Sequence, residues 1–250
     1  MEINIFKTKY ALYQDFTGRL KEIVSGKEVV TVALSGGSTP KSLFDYWAQL
    51  PKGEIEWEKI KFFWGDERCV PPTNNESNYK MTKEHLFDFV VVPDKNIFRI
   101  WGENDPEWEA ERYGKLLDRE LETVNGVPSF DIMMLGMGDD GHTASIFPHG
   151  MAPFWNSPEN CVATIHPLSG QKRVSLSGKV INAAKNIFFL ITGENKANKV
   201  KEIAEQPNQA REKYPAALVQ PDSGNLYWFL DSEAGKLLRN RQALYHLSSN

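Results

Sequence analysis

Residues 130–148 read FDIMMLGMGDDGHTASIFP, and the architecture expected for the whole chain follows from them. The apolar run at residues 132–135 is too short for a helix and is typical of a strand buried on both faces. Three glycines then permit positive φ angles and a close approach of the main chain to a ligand. Because ligands of open α/β sheets bind at the carboxyl ends of the strands, we expect Asp139, Asp140 and His142 to lie at a ligand site.

The three glycines also have the G-x-G-x-x-G spacing of a dinucleotide-binding fingerprint, but the sequence around them does not fit it. Pro148 follows within two turns of Gly141, so there is no room for the long helix whose N-terminus would hold a pyrophosphate. Asp139 and Asp140 would repel that group. The acid expected about 20 residues further on is at best Glu159, so a nucleotide site is not expected here.

Composition bounds the class of protein. The 250 residues are 41% hydrophobic, and no Pro/Ser/Gly-rich linker divides them, so we expect a single domain over residues 1–250. A net charge of −4 gives no general attraction to nucleic acid or anionic lipid. The N-terminus lacks a signal pattern and no apolar run is long enough to span a bilayer. We expect a cytoplasmic protein with no membrane or nucleic-acid partner, with Cys69 and Cys161 as reduced thiols.

Predicted strands and helices alternate along the chain. Strands are predicted at residues 29–34, 60–64, 96–100, 132–135, 162–166, 173–176, 186–192 and 226–230. Helices are predicted at residues 10–24, 41–50, 77–87, 106–124 and 232–238, and from residues 180 and 195. This order indicates an α/β fold with a doubly wound, mostly parallel sheet and helices on both faces, a Rossmann-like three-layer arrangement.

A glycine turn follows the strand predicted at residues 29–34. Residues 35–40 read SGGSTP and lead into a predicted helix. The backbone N–H groups around Gly36 and Gly37, with the hydroxyls of Ser38 and Thr39, suit a phosphate at the positive helix end. The turn is not a Walker loop, because that spacing and its lysine are missing. Taken alone, the turn fits equally well a plain helix cap formed by Ser38 or Thr39.

Charged residues follow two further strands. Arg68 can engage two phosphate oxygens with its planar guanidinium, and Asp66 can accept hydrogen bonds from sugar hydroxyls. Lys196 in the first turn of a helix is unfavourable against the helix dipole unless an anion binds there. The alternatives are a surface Asp-Arg pair and a solvated lysine. The glycine turn at residues 35–39, Arg68 and Lys196 all lie at strand carboxyl ends, as does His142, so we expect these three elements to form one phosphate site.

His142 is the candidate general base, because an imidazole with an ordinary pKa of about 6.5 is largely neutral at pH 7. Asp140 can orient the ring and stabilise the imidazolium, although a capping or buried hydrogen-bonded histidine is the alternative. His142 and His149 do not have metal-ligand spacing, and no H-x-x-x-H or C-x-x-C occurs. We expect neither a metal nor a cofactor. No G-x-S-x-G elbow occurs, so no covalent nucleophile is expected.

Taken together, these motifs resemble the 6-phosphogluconolactonase family. They occur in order as ALSGGSTP at 33–40, WGDER at 64–68, SNY at 77–79, LGMGDDGHTASIFP at 135–148 and G-x-x-K-A at 193–197. The resemblance implies a metal-free hydrolase that opens 6-phosphoglucono-1,5-lactone to 6-phosphogluconate in the oxidative pentose phosphate pathway. It also implies a doubly wound fold shared with glucosamine-6-phosphate deaminases. We expect a sugar-phosphate lactone as the small-molecule ligand, and a monomer.

The deaminases are the main alternative. They carry a D-G-H-I-A-F-N-E pattern, whose final Glu supports ring opening through the His, and an Asp-Glu-Tyr where this chain has Asp66-Glu67-Arg68. Phe147 stands here in place of that final Glu, so lactone hydrolysis fits better. Residues 169–171 replace a proline-rich lead found in many relatives, and no role is therefore assigned to Arg173. A non-catalytic sugar-phosphate sensor is a third alternative, which the pair of Asp140 and His142 disfavours.

Overall fold

Strands and helices alternate through most of the computed structural model, which describes residues 1–239. The strands are β1 (Glu2–Phe6), β2 (Val30–Leu34), β3 (Ile60–Trp64), β4 (Asp66–Arg68), β5 (Glu122–Val124), β6 (Val127–Ser129), β7 (Ile132–Leu135), β8 (Cys161–Ile165), β9 (Lys172–Leu176), β10 (Asn186–Ile191) and β11 (Asn225–Asp231). The helices are α1 (Lys9–Ser25), α2 (Ser38–Ala48), α3 (Asn78–Thr82), α4 (Pro106–Glu120), α5 (Met151–Trp155), α6 (Gly178–Asn182), α7 (Ala197–Glu205), α8 (Pro207–Arg211) and α9 (Pro215–Leu218).

A six-stranded sheet with the order β1-β11-β10-β7-β2-β3 forms the centre of the described residues. All of its pairings are parallel, and helices flank it. The predicted doubly wound α/β fold is confirmed. From β2 the chain crosses to β3 on one side and later to β7 on the other, so the strand order reverses between β2 and β7. Ligands bind at the carboxyl ends of strands at such a switch point.

The core surrounds the central sheet. Every residue of β7 is buried, as expected for a strand covered on both faces. Between α1 and the sheet, Phe16 packs edge-on against Phe188 of β10 with ring centroids 5.0 Å apart. Phe16 also stacks on Trp47 of α2 at 5.9 Å. These contacts pack α1 and α2 together over the sheet. No helix within residues 1–239 is long and apolar enough to cross a membrane.

A smaller sheet lies beside the carboxyl end of β3. Only Gly65 separates β3 from β4, which pairs antiparallel with β9, and β9 pairs antiparallel with β8. This pairing turns residues 66–68 away from the central sheet and sets them against the hairpin formed by β8 and β9. The sequence predicted β8 and β9 to within one residue, but it did not predict β4 as a strand.

Several predicted elements are wrong in extent or type. The helix predicted to residue 124 ends at Glu120, because Asn125 and Gly126 adopt positive φ angles (53° and 78°) and form the tight turn of the hairpin β5–β6. Residues 96–100 form only an isolated bridge from Phe62 to Ile97. Residues 232–237 are turns, not a helix. The helix predicted at residues 41–50 begins earlier, at Ser38, and the one predicted at residues 77–87 continues beyond α3 as a π-helical turn. The edge strand β1 was not predicted.

Candidate active site

A cavity of about 140 Å³ lies at the switch point between β2 and β7. Its walls come from the loops after β2 and β7, from β4 and β9, and from the start of α3. The lining residues are Ser35, Gly36, Gly37, Asp66, Arg68, Asn78, Gly136, Met137, His142, Ala144 and Arg173. Residues that lie far apart in the sequence thus surround one small polar space.

The loop after β7, residues 136–143 and here called the β7 loop, brings Asp140 against His142. Nδ1 of His142 lies 2.6 Å from Oδ1 of Asp140, and the same oxygen accepts the His142 backbone N–H at 3.1 Å. Burial of the Asp140 carboxyl raises its pKa, but the hydrogen bond and charge of His142 outweigh burial and lower the pKa to about 2. Asp140 is therefore ionised at neutral pH and holds the ring so that Nε2 is the nitrogen left for a ligand.

Gly138 permits this pairing. A Cβ atom at residue 138 would lie 2.1 Å from Nδ1 of His142 and 2.7 Å from Oδ1 of Asp140. Gly138 also donates its N–H to the His142 carbonyl at 2.9 Å, which closes the loop on itself. Since no real Cβ fits there, the two side chains can pair only if residue 138 is glycine.

We expect Gly138→Ala to lower kcat by roughly 10²-fold, because a displacement of about 1 Å at a catalytic group costs that much. The measurement is steady-state kinetics on the folded variant. Gly18→Ala is the matched control, since a Cβ at residue 18 meets no atom within 4 Å. A Gly138→Ala enzyme that retains half or more of the wild-type kcat would contradict the prediction.

Two arginines face each other in the cavity. Arg68 of β4 lies directly opposite Arg173 of β9 in the antiparallel register, and like charges placed this way repel. The Nε atoms of both are buried and have no hydrogen-bond partner among the described residues. Burial lowers the pKa of the Arg173 guanidinium, Asp66 offsets this in part, and the charge of Arg68 lowers it further. An anion bound between the two guanidinium groups would relieve the repulsion and supply the missing acceptors.

Buried polar contacts hold each arginine. The Glu67 carboxylate accepts hydrogen bonds from the backbone N–H groups of Arg68 (2.8 Å), Asn78 (2.7 Å) and Tyr79 (2.9 Å), so it ties β4 to α3. The Arg68 guanidinium itself donates to the Glu76 carbonyl. Arg173 donates to Gln171 at 3.0 Å and to the Ser145 hydroxyl at 3.4 Å. Each guanidinium is thus positioned before any ligand arrives, which reduces the entropy lost on binding.

The structure places the predicted site residues in three groups. Five of them line the cavity: Gly36, Gly37, Asp66, Arg68 and His142. Asp140 adjoins it through His142. The other three, Ser38, Thr39 and Lys196, are not lining residues.

Ser38 and Thr39 open α2, for which Gly37 is the N-cap, and no side chain caps this helix. The capping alternative is therefore wrong, and the first N–H groups of α2 remain available for a ligand. The hydroxyl of Thr39 instead lies 2.8 Å from that of Thr192. Asp66 is buried and accepts a hydrogen bond from the Ser145 hydroxyl at 2.5 Å.

Lys196 immediately precedes α7, and its ammonium group pairs with Asp139 of the β7 loop. Asn195 donates to the same carboxylate at 2.8 Å. This cation therefore has a carboxylate partner on the loop, next to Asp140. Its contact with a phosphate stays a prediction.

Arg173 and Asn78 are the site residues that the sequence interpretation missed. Asn78 lines the cavity and donates from its side chain to the Asp66 carbonyl at 2.9 Å. The signal for Arg173 was an arginine in a predicted strand, but only the pairing of β4 with β9 shows that it faces Arg68. That pairing joins residues about a hundred positions apart, which local patterns do not encode.

Size alone does not identify the site. A larger cavity of about 680 Å³ lies between α4 and β8, and four acidic residues and one lysine line it: Glu107, Glu111, Asp118, Glu159 and Lys115. No histidine or arginine lines this cavity, and an anionic ligand would be repelled there. Within residues 1–239 no group of three or more His, Cys, Asp or Glu side chains could hold a metal ion.

A switch-point cavity with a paired aspartate and histidine on one side and two opposed arginines on the other defines an α/β enzyme for a small anionic ligand. Comparison with known proteins gives the family. Residues 7–228 match the family of glucosamine-6-phosphate isomerases/6-phosphogluconolactonase, and the chain belongs to this family. The resemblance predicted from the motifs is confirmed.

Curated relatives and a solved structure cover most of the chain. The 6-phosphogluconolactonase of Haemophilus influenzae is 46% identical over 214 residues, which are 84% of this chain and 88% of that protein. The 6-phosphogluconolactonase of Treponema pallidum is 42% identical over 193 residues, 77% of this chain and 78% of that protein. A crystal structure of a protein called devB superposes with a TM-score of 0.90 at 41% identity, covering 95% of this chain and 99% of that one.

Proposed function

We propose that this chain hydrolyses 6-phospho-D-glucono-1,5-lactone to 6-phospho-D-gluconate, the lactone-opening step of the oxidative pentose phosphate pathway. Relatives named 6-phosphogluconolactonase, alike over most of their length, support the reaction. The observation that carries the mechanism is the Asp140–His142 pair at 2.6 Å, with His142 on the same cavity as Arg68 and Arg173. A proton acceptor and an anion site thus lie within the span of one sugar phosphate.

In the proposed mechanism His142 acts as general base. Its Nε2 takes a proton from water as the water oxygen attacks C1 of the lactone, and the ionised Asp140 stabilises the imidazolium. The tetrahedral intermediate then collapses, the bond between C1 and the ring oxygen breaks, and the imidazolium returns the proton to that leaving oxygen. The products are the free hydroxyl and the carboxylic acid, which ionises. No covalent intermediate is needed, since a lactone is an ester that water can attack directly.

In this proposal the two arginines bind different ends of the substrate. The side chain of Arg173 is 11% exposed, and its guanidinium lies 5.7 Å from the ring centroid of Phe147. Phe147 in turn lies 4.8 Å from the His142 ring, so Arg173 belongs to the reacting end. There its N–H groups suit the oxyanion that develops on the C1 carbonyl oxygen.

Arg68 belongs to the phosphate end. It also lines an adjoining cavity of about 310 Å³, where three basic residues, Arg68, Lys41 and Lys80, outnumber the two acidic ones, Glu76 and Glu84. We assign the phosphate to Arg68 and to the N-terminus of α2 at Gly36 and Gly37, where no side chain caps the first N–H groups. Lys196 is assigned to the same phosphate through the donors of its ammonium group that Asp139 does not use. Asp66 is assigned to a sugar hydroxyl.

Glucosamine-6-phosphate deamination is the second candidate, favoured by the family description that covers both activities. Phe147 is 4% exposed and packs against His142, where the deaminase pattern places a glutamate. An apolar ring there cannot relay a proton to the histidine. The site therefore supports lactone opening better.

A timed assay on the purified protein tests the proposal. Fresh lactone and glucosamine 6-phosphate are supplied in parallel, and acid production and ammonia release are followed. We expect lactone opening far above the spontaneous rate and no ammonia. Ammonia release with lactone opening only at the spontaneous rate would select the deaminase. If 6-phosphogluconate raises Tm while neither substrate turns over, the chain is a sensor.

We also propose a cytoplasmic monomer. The described residues of one chain supply both the proton acceptor, His142, and the anion site of Arg68 and Arg173, so the proposed reaction does not require a second subunit. The proposed substrate is a phosphorylated, charged intermediate of sugar metabolism, and a cytoplasmic enzyme would meet it where it forms.

A further inference from the structure

The β7 loop rests on Tyr214. The ring of Tyr214 lies so close to Gly141 that a Cβ at residue 141 would be 2.6 Å from the tyrosine Cδ1, and Gly141 itself has a φ of 88°. Two residues after Tyr214, the N–H of Ala216 donates to the Gly141 carbonyl at 3.1 Å. Gly141 separates Asp140 from His142 in the chain, so its position sets the geometry of both.

Side chains of α7 hold the tyrosine in turn. Its hydroxyl donates to Glu202 at 2.5 Å and accepts from the Lys199 ammonium at 2.9 Å. That ammonium also lies 4.5 Å from the ring centroid. The hydrogen bond from Tyr214 lowers the pKa of Glu202, and the one to Tyr214 raises the pKa of Lys199, so both groups stay charged at neutral pH.

The same helix secures the loop at a second point. Lys196 and Asn195, just before α7, both bind Asp139, while Tyr214 supports Gly141. Asp139 and Gly141, which flank Asp140, are therefore both held from this part of the chain. The residues just before α7 hold Asp139, and α7 holds Gly141 through Tyr214. None of Tyr214, Lys199 and Glu202 lines the cavity, so they act on the reaction only through the loop.

We propose that Tyr214 is a positioning residue: its ring, anchored by Lys199 and Glu202, holds Gly141 so that Asp140 and His142 keep the geometry for proton transfer. The inference rests on the proposed function, in which His142 is the base. It assigns to Tyr214 an effect on kcat and not on substrate binding, because the phosphate end of the cavity is built from other elements.

The kinetic test compares two substitutions. We expect Tyr214→Ala to lower kcat about tenfold, with KM within about twofold of the wild type, since a loosened loop misplaces the base. Tyr214→Phe keeps the ring against Gly141 and should retain kcat within about threefold. Tyr227→Ala is the matched control: Tyr227 is also half-buried and lies in β11, away from the cavity, so its loss affects stability without lowering kcat.

A second readout is independent of turnover. NMR follows the imidazole resonances of His142, identified by their absence from His142→Asn. If the ring of Tyr214 holds the pair together, Tyr214→Ala weakens the hydrogen bond between His142 and Asp140 and shifts these resonances from their wild-type positions. Tyr214→Phe leaves them close to the wild type.

Folded Tyr214→Ala with wild-type kcat and unchanged imidazole resonances of His142 overturns the inference, as does an equal loss of kcat in Tyr227→Ala. Circular dichroism establishes folding, and Tyr214→Leu replaces the alanine variant if that fails to fold. Should the wild type not open the lactone at all, the proposed function fails separately. The NMR comparison then still decides whether Tyr214 positions His142.

Discussion

Replacing His142 by alanine is expected to lower kcat for lactone opening by roughly 10²–10⁴-fold, the usual contribution of a general base. The substitution removes the only imidazole that lines the cavity within the described residues, and it leaves Asp140 without its partner at 2.6 Å. KM should change little, because the proposed phosphate contacts lie elsewhere. The residual rate would reflect binding and oxyanion stabilisation alone.

His149→Ala is the matched control, since His149 is exposed and lies seven residues further along the same segment. Initial rates are measured at several pH values with the spontaneous opening subtracted. Asp140, with its pKa of about 2, stays ionised over the whole pH range of the assay, so no part of the pH dependence of kcat/KM comes from this carboxylate. Near wild-type kcat in His142→Ala removes His142 as the base.

Much of the fold was predictable because the central strands are short apolar runs that end in glycine. Such runs predict buried parallel strands, and β2, β3, β7 and β10 all lie within one residue of their predicted bounds. The site at the ends of β2 and β7 followed from the same pattern. Because a glycine turn follows both strands and ionisable residues follow β7, local sequence was enough to place Gly37 and His142 together.

The elements that were predicted wrongly depend on strand pairing and on turn conformation. Strand β4 consists of the three charged residues 66–68, which no hydrophobic pattern identifies as a strand, and it exists because it pairs with β9. The end of α4 depends on the turn at Asn125 and Gly126, whose positive φ angles start a hairpin. Apolar residues occur both at the end of a helix and in a short strand, so the pattern at residues 121–124 did not distinguish the two.

The pairing of β4 with β9 also explains why Arg173 was not predicted as a site residue. Sequence favoured Arg68 with Lys196 as the basic residues, since both follow strands of the central sheet. In the structure the cation opposite Arg68 is Arg173, and Lys196 is held by Asp139. Which charges meet was decided by the register of β4 against β9, and that register is a tertiary property.

Arg68→Ala gives the second large effect. We expect the substitution to raise KM for the phosphorylated lactone by a factor equivalent to about 1.5–3 kcal/mol, the range for a hydrogen bond to a charged group, with kcat changed much less. The physical reason is the position of Arg68 between the reaction cavity and the adjoining cavity that holds Lys41 and Lys80. Arg68→Lys should restore only part of the loss, because an ammonium cannot form the two-pronged contact.

The phosphate assignment also predicts a change in preference. On unphosphorylated glucono-1,5-lactone, Arg68→Ala should be as active as the wild type. The preference for the phosphorylated lactone, measured as the ratio of the two kcat/KM values, should therefore fall sharply in the variant. Arg119→Ala, at a surface arginine 68% exposed and paired with Glu120, is the matched control for loss of positive charge. An equal loss on both lactones would instead place Arg68 at the reacting end beside Arg173.

Stability provides an independent check on the anion site. Without ligand, Arg68 and Arg173 repel each other across the strands, so Arg68→Ala should leave Tm unchanged or raise it, despite the loss of a well-held side chain. With 6-phosphogluconate present, the wild type gains more stability than the variant, because ligand bound to the folded state adds its binding free energy. A variant that is less stable without ligand and gains as much with it would show that the arginine pair holds the strands and not a phosphate.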